Sequence, residues 1–119
     1  MTIEKASAAD QAEILVLYRS LIGQPGCTWC EEYPDEEIAA EDLHSGSLYC
    51  ARENGSIVGA VSIEWRDEEV ERFDCWSKEN EPAAYLSRVA MRVYRALAFD
   101  FSGEADAFGQ HWLCYEKRL

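Results

Sequence analysis

Residues 47–53 and 56–65 are two β-prone runs separated only by Asn54-Gly55. These two residues accept the positive φ angles that both central positions of a two-residue hairpin turn demand. The runs are therefore predicted to pair antiparallel, and a chain committed to a sheet must also supply something to cover it. A helix is predicted after Ser7-Ala8-Ala9-Asp10, whose serine can accept a backbone N–H. Ile14, Leu15, Leu17, Tyr18, Leu21 and Ile22 recur at helical spacing, and Gly23 follows as a left-handed stop. A second helix is predicted from Pro34, which suits a first turn, to about His44, and Ser45-Gly46 closes it.

Residues 2–6 read as a short first strand. Late in the chain, Phe99, Phe101, Gly103 and Ala105 alternate with Asp100, Ser102, Glu104 and Asp106, and residues 112–116 return after Gly109 as a hairpin partner. The expected class is α/β (α+β), a mainly antiparallel sheet with flanking helices, in one domain of 119 residues, a length that suits a single core.

Twenty-three acidic residues against eleven basic ones give a net charge of −12, the wrong sign for phosphate backbones and anionic lipid surfaces. Neither nucleic acid nor membrane is an expected partner. The longest uncharged run, residues 20–30, is far short of the roughly 20 apolar residues of a spanning helix. Residues 1–7 lack the apolar core of a signal peptide, so the expected location is the cytoplasm. Five cysteines, an odd number, suit a reducing compartment in which buried thiols act as small hydrophobes. Cys27-Thr28-Trp29-Cys30 has the two-residue gap of a zinc or redox pair, but no second Cys/His pair of suitable spacing follows, and no metal site is expected. Glu31, Glu32, Asp35, Glu36, Glu37, Glu41 and Asp42 lie in a stretch without a lysine or arginine between Arg19 and Arg52. They form either a solvated face or an attraction for a cationic amine or a basic protein.

Residues 67–82 read as an acidic connection with a short strand at 73–76. From Pro82 onward, Leu86, Val89, Ala90, Val93, Tyr94 and Leu97 fall on one helical face, which predicts a helix over 82–98. Arg88, Arg92 and Arg95 would then form a basic stripe, either solvated or able to bind a phosphate.

Leu48-Tyr49-Cys50-Ala51-Arg52-Glu53-Asn54-Gly55, followed by Ile57-Val58-Gly59-Ala60-Val61, resembles the second and third strands of the GNAT family of N-acetyltransferases. Leu86-Ser87-Arg88-Val89-Ala90-Met91 resembles that family's central strand. The stretch from Tyr94 to Phe101, with Tyr115-Glu116-Lys117, resembles its closing segments. The resemblance covers nearly the whole chain in two blocks, 1–91 and 92–119. It implies a shortened GNAT fold with an internal deletion near 91–92, because the family's Arg/Gln-x-x-Gly-x-Gly/Ala loop, its helix and the next strand have no counterpart there. It also makes 84–91 a strand, against the helix that periodicity favours.

The implied reaction is transfer of acetyl from acetyl-CoA to a primary amine on a small molecule or a protein. The implied roles are Tyr94 as the acid that protonates the leaving thiolate, and Val89, Ala90, Met91 and Arg92 as the cofactor-binding strand end. Trp29, Glu31, Glu32 and Tyr33 fall in the loop that lies near the family's acceptor site. His111, beside Trp112, is a candidate base on the acceptor amine. A pyrophosphate cradle needs glycines for close approach at a helix N-terminus, and that pair is missing, so activity is expected to be impaired. The alternative is a non-catalytic remnant that binds or oligomerises, for example as a homodimer, through its acidic surface and a sheet edge.

Overall fold

The computed structural model describes residues 1–25, 27–77, 82–90 and 100–117, the side chains of 110 and 111 excepted. They fall into two compact units, Met1–Glu64 with Tyr85–Met91, and Trp65–Ala84 with Arg92–Leu119.

The first unit runs β1 (Thr2–Lys5), a 3-10 turn (Ala8–Asp10), α1 (Gln11–Leu21), α2 (Glu36–Ser45), β2 (Leu48–Glu53), β3 (Ser56–Glu64) and β4 (Tyr85–Ser87). The strands make an antiparallel sheet in the order β1-β2-β3-β4. The β2–β3 turn forms at Asn54-Gly55 as the sequence predicts, with φ of 52° and 82°. Ahead of α1, the Asp10 carboxylate accepts the Ser7 N–H at 2.8 Å and the Ser7 hydroxyl at 3.0 Å. It also pairs with Arg52 of β2, and these contacts, the Ser7 N–H first, hold the Asp10 pKa below the usual carboxylate range.

α2 starts two residues later than its sequence suggests. Pro34 stays outside the helix, after a cis peptide, and Asp35 is the cap, its Oδ1 accepting the Ile38 N–H at 3.0 Å. Gly46, at φ 73°, closes the helix with its N–H on the Asp42 and Leu43 carbonyls. One core joins Ile14, Leu15 and Tyr18 of α1, Ala39 of α2, Leu48 and Cys50 of β2, Ile57 and Ala60 of β3, and Ala90. Cys50 is only 1 % exposed, and burial pushes its thiol pKa up, so it acts as the small hydrophobe its sequence context suggests.

Residues 82–90 do not form the predicted helix. Tyr85, Leu86 and Ser87 pair with Glu64, Ile63 and Ser62 of β3, and the Ala90 N–H donates to the Ala60 carbonyl at 2.8 Å. The edge of β3 offers this backbone hydrogen-bond partners from outside the segment, and the apolar spacing fits either state. Arg88 therefore belongs to no helical stripe, while residues 91–98 lie outside the described ones.

The second unit contains α3 (Glu68–Glu71), β5 (Asp100–Ala107) and β6 (Gln110–Glu116). The last two form the expected closing hairpin, a two-stranded antiparallel sheet. The short strand predicted at 73–76 is absent. The order lies just before it, where Asp67 caps α3 by accepting the Glu69 and Val70 N–H groups at 3.2 and 3.1 Å. Trp76 then donates its indole N–H to the Val70 carbonyl at 2.8 Å and stacks on Phe73.

Candidate functional site

A regular strand alternates its faces, and β4 stops doing so just past its end. Ser87 faces Ser62, which is fully buried, and the Ser87 hydroxyl is itself sealed from solvent. In unbroken register Ala60 would oppose Val89, yet its carbonyl takes the N–H of Ala90, and Ala90 is 1 % exposed. Arg88 and Val89 thus stand where a regular strand has one residue, which is a β-bulge. Arg88 carries the turn at φ 48°, a left-handed conformation that costs a non-glycine residue about 1 kcal/mol.

The Arg88 side chain offsets that cost. Nε and Nη2 donate to Oδ2 and Oδ1 of Asp42 at 2.5 and 2.7 Å, a two-pronged ion pair in which the side chains are only 14 % and 8 % exposed. Glu64 adds a carboxylate oxygen at 3.6 Å, and the Tyr33 side chain lies beside the same guanidinium. Burial opposes the Arg88 charge, but the bonds to Asp42 and the nearby Tyr33 hydroxyl outweigh it and hold the pKa above the usual guanidinium range.

Asp42 is tied from three elements. The Ser62 hydroxyl of β3 donates to its Oδ2 at 2.5 Å, Arg88 approaches from the end of β4, and its own carbonyl on α2 receives the Ser47 N–H at 3.1 Å. Next to this knot lies Tyr18, 1 % exposed, whose hydroxyl has no hydrogen-bond partner among the described residues. Burial first, and the nearby Asp42 charge second, push its pKa up to about 12. The Trp29 ring meets Tyr18 edge-on, with centroids 5.2 Å apart.

Trp29 and Tyr33, both read from the sequence as acceptor-side residues, thus converge on one polar cluster. Glu31 and Glu32 are exposed in the turn that Cys30 and Tyr33 close with reciprocal backbone bonds of 3.0 and 3.1 Å. Val89 and Ala90 sit at the bulge, the N–H of Ala90 already donated to Ala60. Tyr94, Met91 and Arg92 lie outside the described residues. His111 belongs to the second unit, in β6, with its backbone opposite Asp106. Among the described residues no group of three or more His, Cys, Asp or Glu could hold a metal.

The sequence reading passed over Tyr18, Ser62 and Glu64 as site members and placed Asp42 in the acidic run. One signal was present: Asp42 follows Ala39 by three residues, so it shares the inward face of α2, where a carboxylate needs a partner.

No protein-family model matches the sequence, and no curated protein matches it. Among solved structures, the chain is similar to a GNAT-family acetyltransferase from Streptococcus agalactiae, with a TM-score of 0.81 at 17% sequence identity. The match covers 96% of this chain and 92% of that one, and at such identity it is a likeness of fold. The chain has a GNAT-like fold, an antiparallel sheet with a small set of helices, as its sequence resemblance implies.

Proposed function

We propose that this chain is a GNAT-like N-acetyltransferase domain, ancestrally moving acetyl from acetyl-CoA to a primary amine, with its cofactor grip and activity impaired. The observation that carries this reading is the bulge at Arg88 and Val89 within a GNAT-like fold. A bulge takes a residue out of the ladder, and a strand that is to hydrogen-bond the amide-bearing arm of CoA needs such an opening. Val89 would serve that arm through its backbone. The phosphate end fits less well, because the sequence has no glycine pair in this region. When bound, acetyl-CoA supplies a thioester already activated toward amines.

On the acceptor side, Trp29 and Tyr33 supply aromatic walls, while Glu31, Glu32 and the net charge of −12 favour a cationic amine over an anionic acceptor. The test is thermal unfolding with millimolar acetyl-CoA against desacetyl-CoA, followed by turnover on a panel of small amines. Stabilisation by several degrees is expected, since a ligand that binds only the folded state raises the melting temperature. No shift with either compound would refute cofactor binding.

One feature favours the second reading, a non-catalytic protein that associates through its edge. β1 is the outer strand of its sheet, all four of its residues are exposed, and Ile3 is 70 % exposed. Concentration-dependent dimers in light scattering, without a response to acetyl-CoA, would establish that reading instead.

A further inference from the structure

In the second unit, Cys75 follows α3 in the connecting segment and Cys114 is the fifth residue of β6. The hairpin register sets Cys114 opposite Gly103 of β5, beside a break in the ladder between Phe101 and Gly103. Residues directly opposite in antiparallel strands project from the same face, with Cβ atoms roughly 4.5–5.5 Å apart. Gly103 has no Cβ, and the space is taken: a Cβ there would lie 2.5 Å from the Cys75 Cβ and 3.8 Å from its sulfur. Gly103 also holds a φ of +156° that favours glycine. Cys75 therefore lies over the strand pair in the position of the missing side chain, beside Cys114. Burial first, and the neighbouring Cys75 thiol second, push the Cys114 pKa up to about 12.

We propose that Cys75 and Cys114 form a reversible dithiol–disulfide pair that, when oxidised, ties the segment after α3 to the closing hairpin. Both are free thiols here. Cys75 in the Gly103 gap is a side-chain neighbour of Cys114, and a disulfide requires the two Cβ atoms to come within roughly 3.5–4.5 Å of each other. With a small disulfide such as oxidised glutathione as oxidant, the Cys75 thiolate, from the less buried of the two residues, attacks a glutathione sulfur and releases one glutathione thiolate. The Cys114 thiolate then attacks the Cys75 sulfur and releases the second. Two protons leave the protein thiols, and two electrons reduce one glutathione disulfide to two glutathiones. The second step quickens with rising pH, because the attacking species is the thiolate and burial disfavours that form of Cys114.

The experiment oxidises the whole chain with glutathione disulfide, alkylates the remaining thiols and maps linked peptides by mass spectrometry, with and without dithiothreitol. A Cys75–Cys114 link is expected, leaving Cys27, Cys30 and Cys50 of the five thiols alkylated. The melting temperature should rise by several degrees, reversibly. C75S and C114S should each abolish the link. G103A, which would displace Cys75, should reduce its yield at least tenfold. Glutathione that stays on Cys75 without exchanging, or a Cys27–Cys30 link with Cys75 and Cys114 still alkylated, would overturn the proposal. The mapping on the unmodified chain decides the matter even where a variant fails to fold.

Discussion

Arg88 and Asp42, 46 positions apart in sequence, face each other fork to fork, and their two hydrogen bonds fix the one left-handed residue at the end of β4. The pair is half of a larger knot, since Ser62 and Glu64 of the neighbouring strand also direct oxygen atoms at it. A carboxylate this buried is stable only while its partner is in place.

Arg88→Ala should therefore cost about 3–5 kcal/mol, because it leaves the Asp42 charge buried and unpaired. Arg88→Lys should cost less, about 1–3 kcal/mol, since an ammonium keeps the charge but cannot make the second parallel bond. Urea denaturation of the two variants checks both values, and equal losses would show that charge alone, not the fork, matters.

Tyr18→Phe removes a buried hydroxyl that has no partner among the described residues, so near neutral pH it should be neutral or stabilising by up to about 1 kcal/mol. The folded pKa of Tyr18 stands at about 12 against an ordinary value of 10.0. The folded state thus holds this proton more tightly than the unfolded chain. The resulting stability is complete below pH 10 and is lost as pH rises toward 12. Wild type should therefore lose stability relative to the Phe variant only in that alkaline window, which melting curves across it would reveal.

Two glycine substitutions separate strain from crowding. Gly55→Ala meets an open surface at φ +82° and should cost about 1 kcal/mol from backbone strain alone. Gly103→Ala must also move Cys75 and should add about 1–3 kcal/mol of overpacking. Denaturant midpoints of the two variants provide the comparison.

Asp35→Ala should destabilise by about 1 kcal/mol through loss of the cap on the Ile38 N–H. Asp35→Ser should recover most of it, and an equal loss in both would place the effect outside the cap.

The elements legible in the sequence were those whose cause is local. Asn54-Gly55 specifies its turn by backbone angles, α1 follows from apolar spacing, and the closing hairpin from alternation. In 82–90 the apolar spacing suits a helix, but the family resemblance, which makes 84–91 a strand, is the reading that matches Tyr85–Ser87; the deciding bonds come from Glu64, Ile63, Ser62 and Ala60, more than twenty residues earlier. Pro34 suited a helical first turn by type, yet Asp35 offered the side-chain acceptor that the Ile38 N–H needs. Trp29 and Tyr33 are singled out in the sequence only through the family resemblance, and the structure sets both beside the Arg88–Asp42 cluster. Tyr18, Ser62 and Glu64 are not singled out, because their roles depend on where the Arg88 guanidinium points, and that follows from a one-residue register slip that only pairing with β3 creates.

From the sheet's own standpoint, Arg88 is surplus. A strand that ran from Ser87 directly to Val89 would alternate without interruption, with Ser87 and Ala90 still turned inward beside Ser62 and Ala60. What would vanish is the guanidinium that faces Asp42, Glu64 and Tyr33, together with the gap in the ladder beside Val89. The extra residue is therefore an inserted side chain rather than a piece of the sheet, and a shortened version of this strand should look more regular while losing what makes its end distinctive.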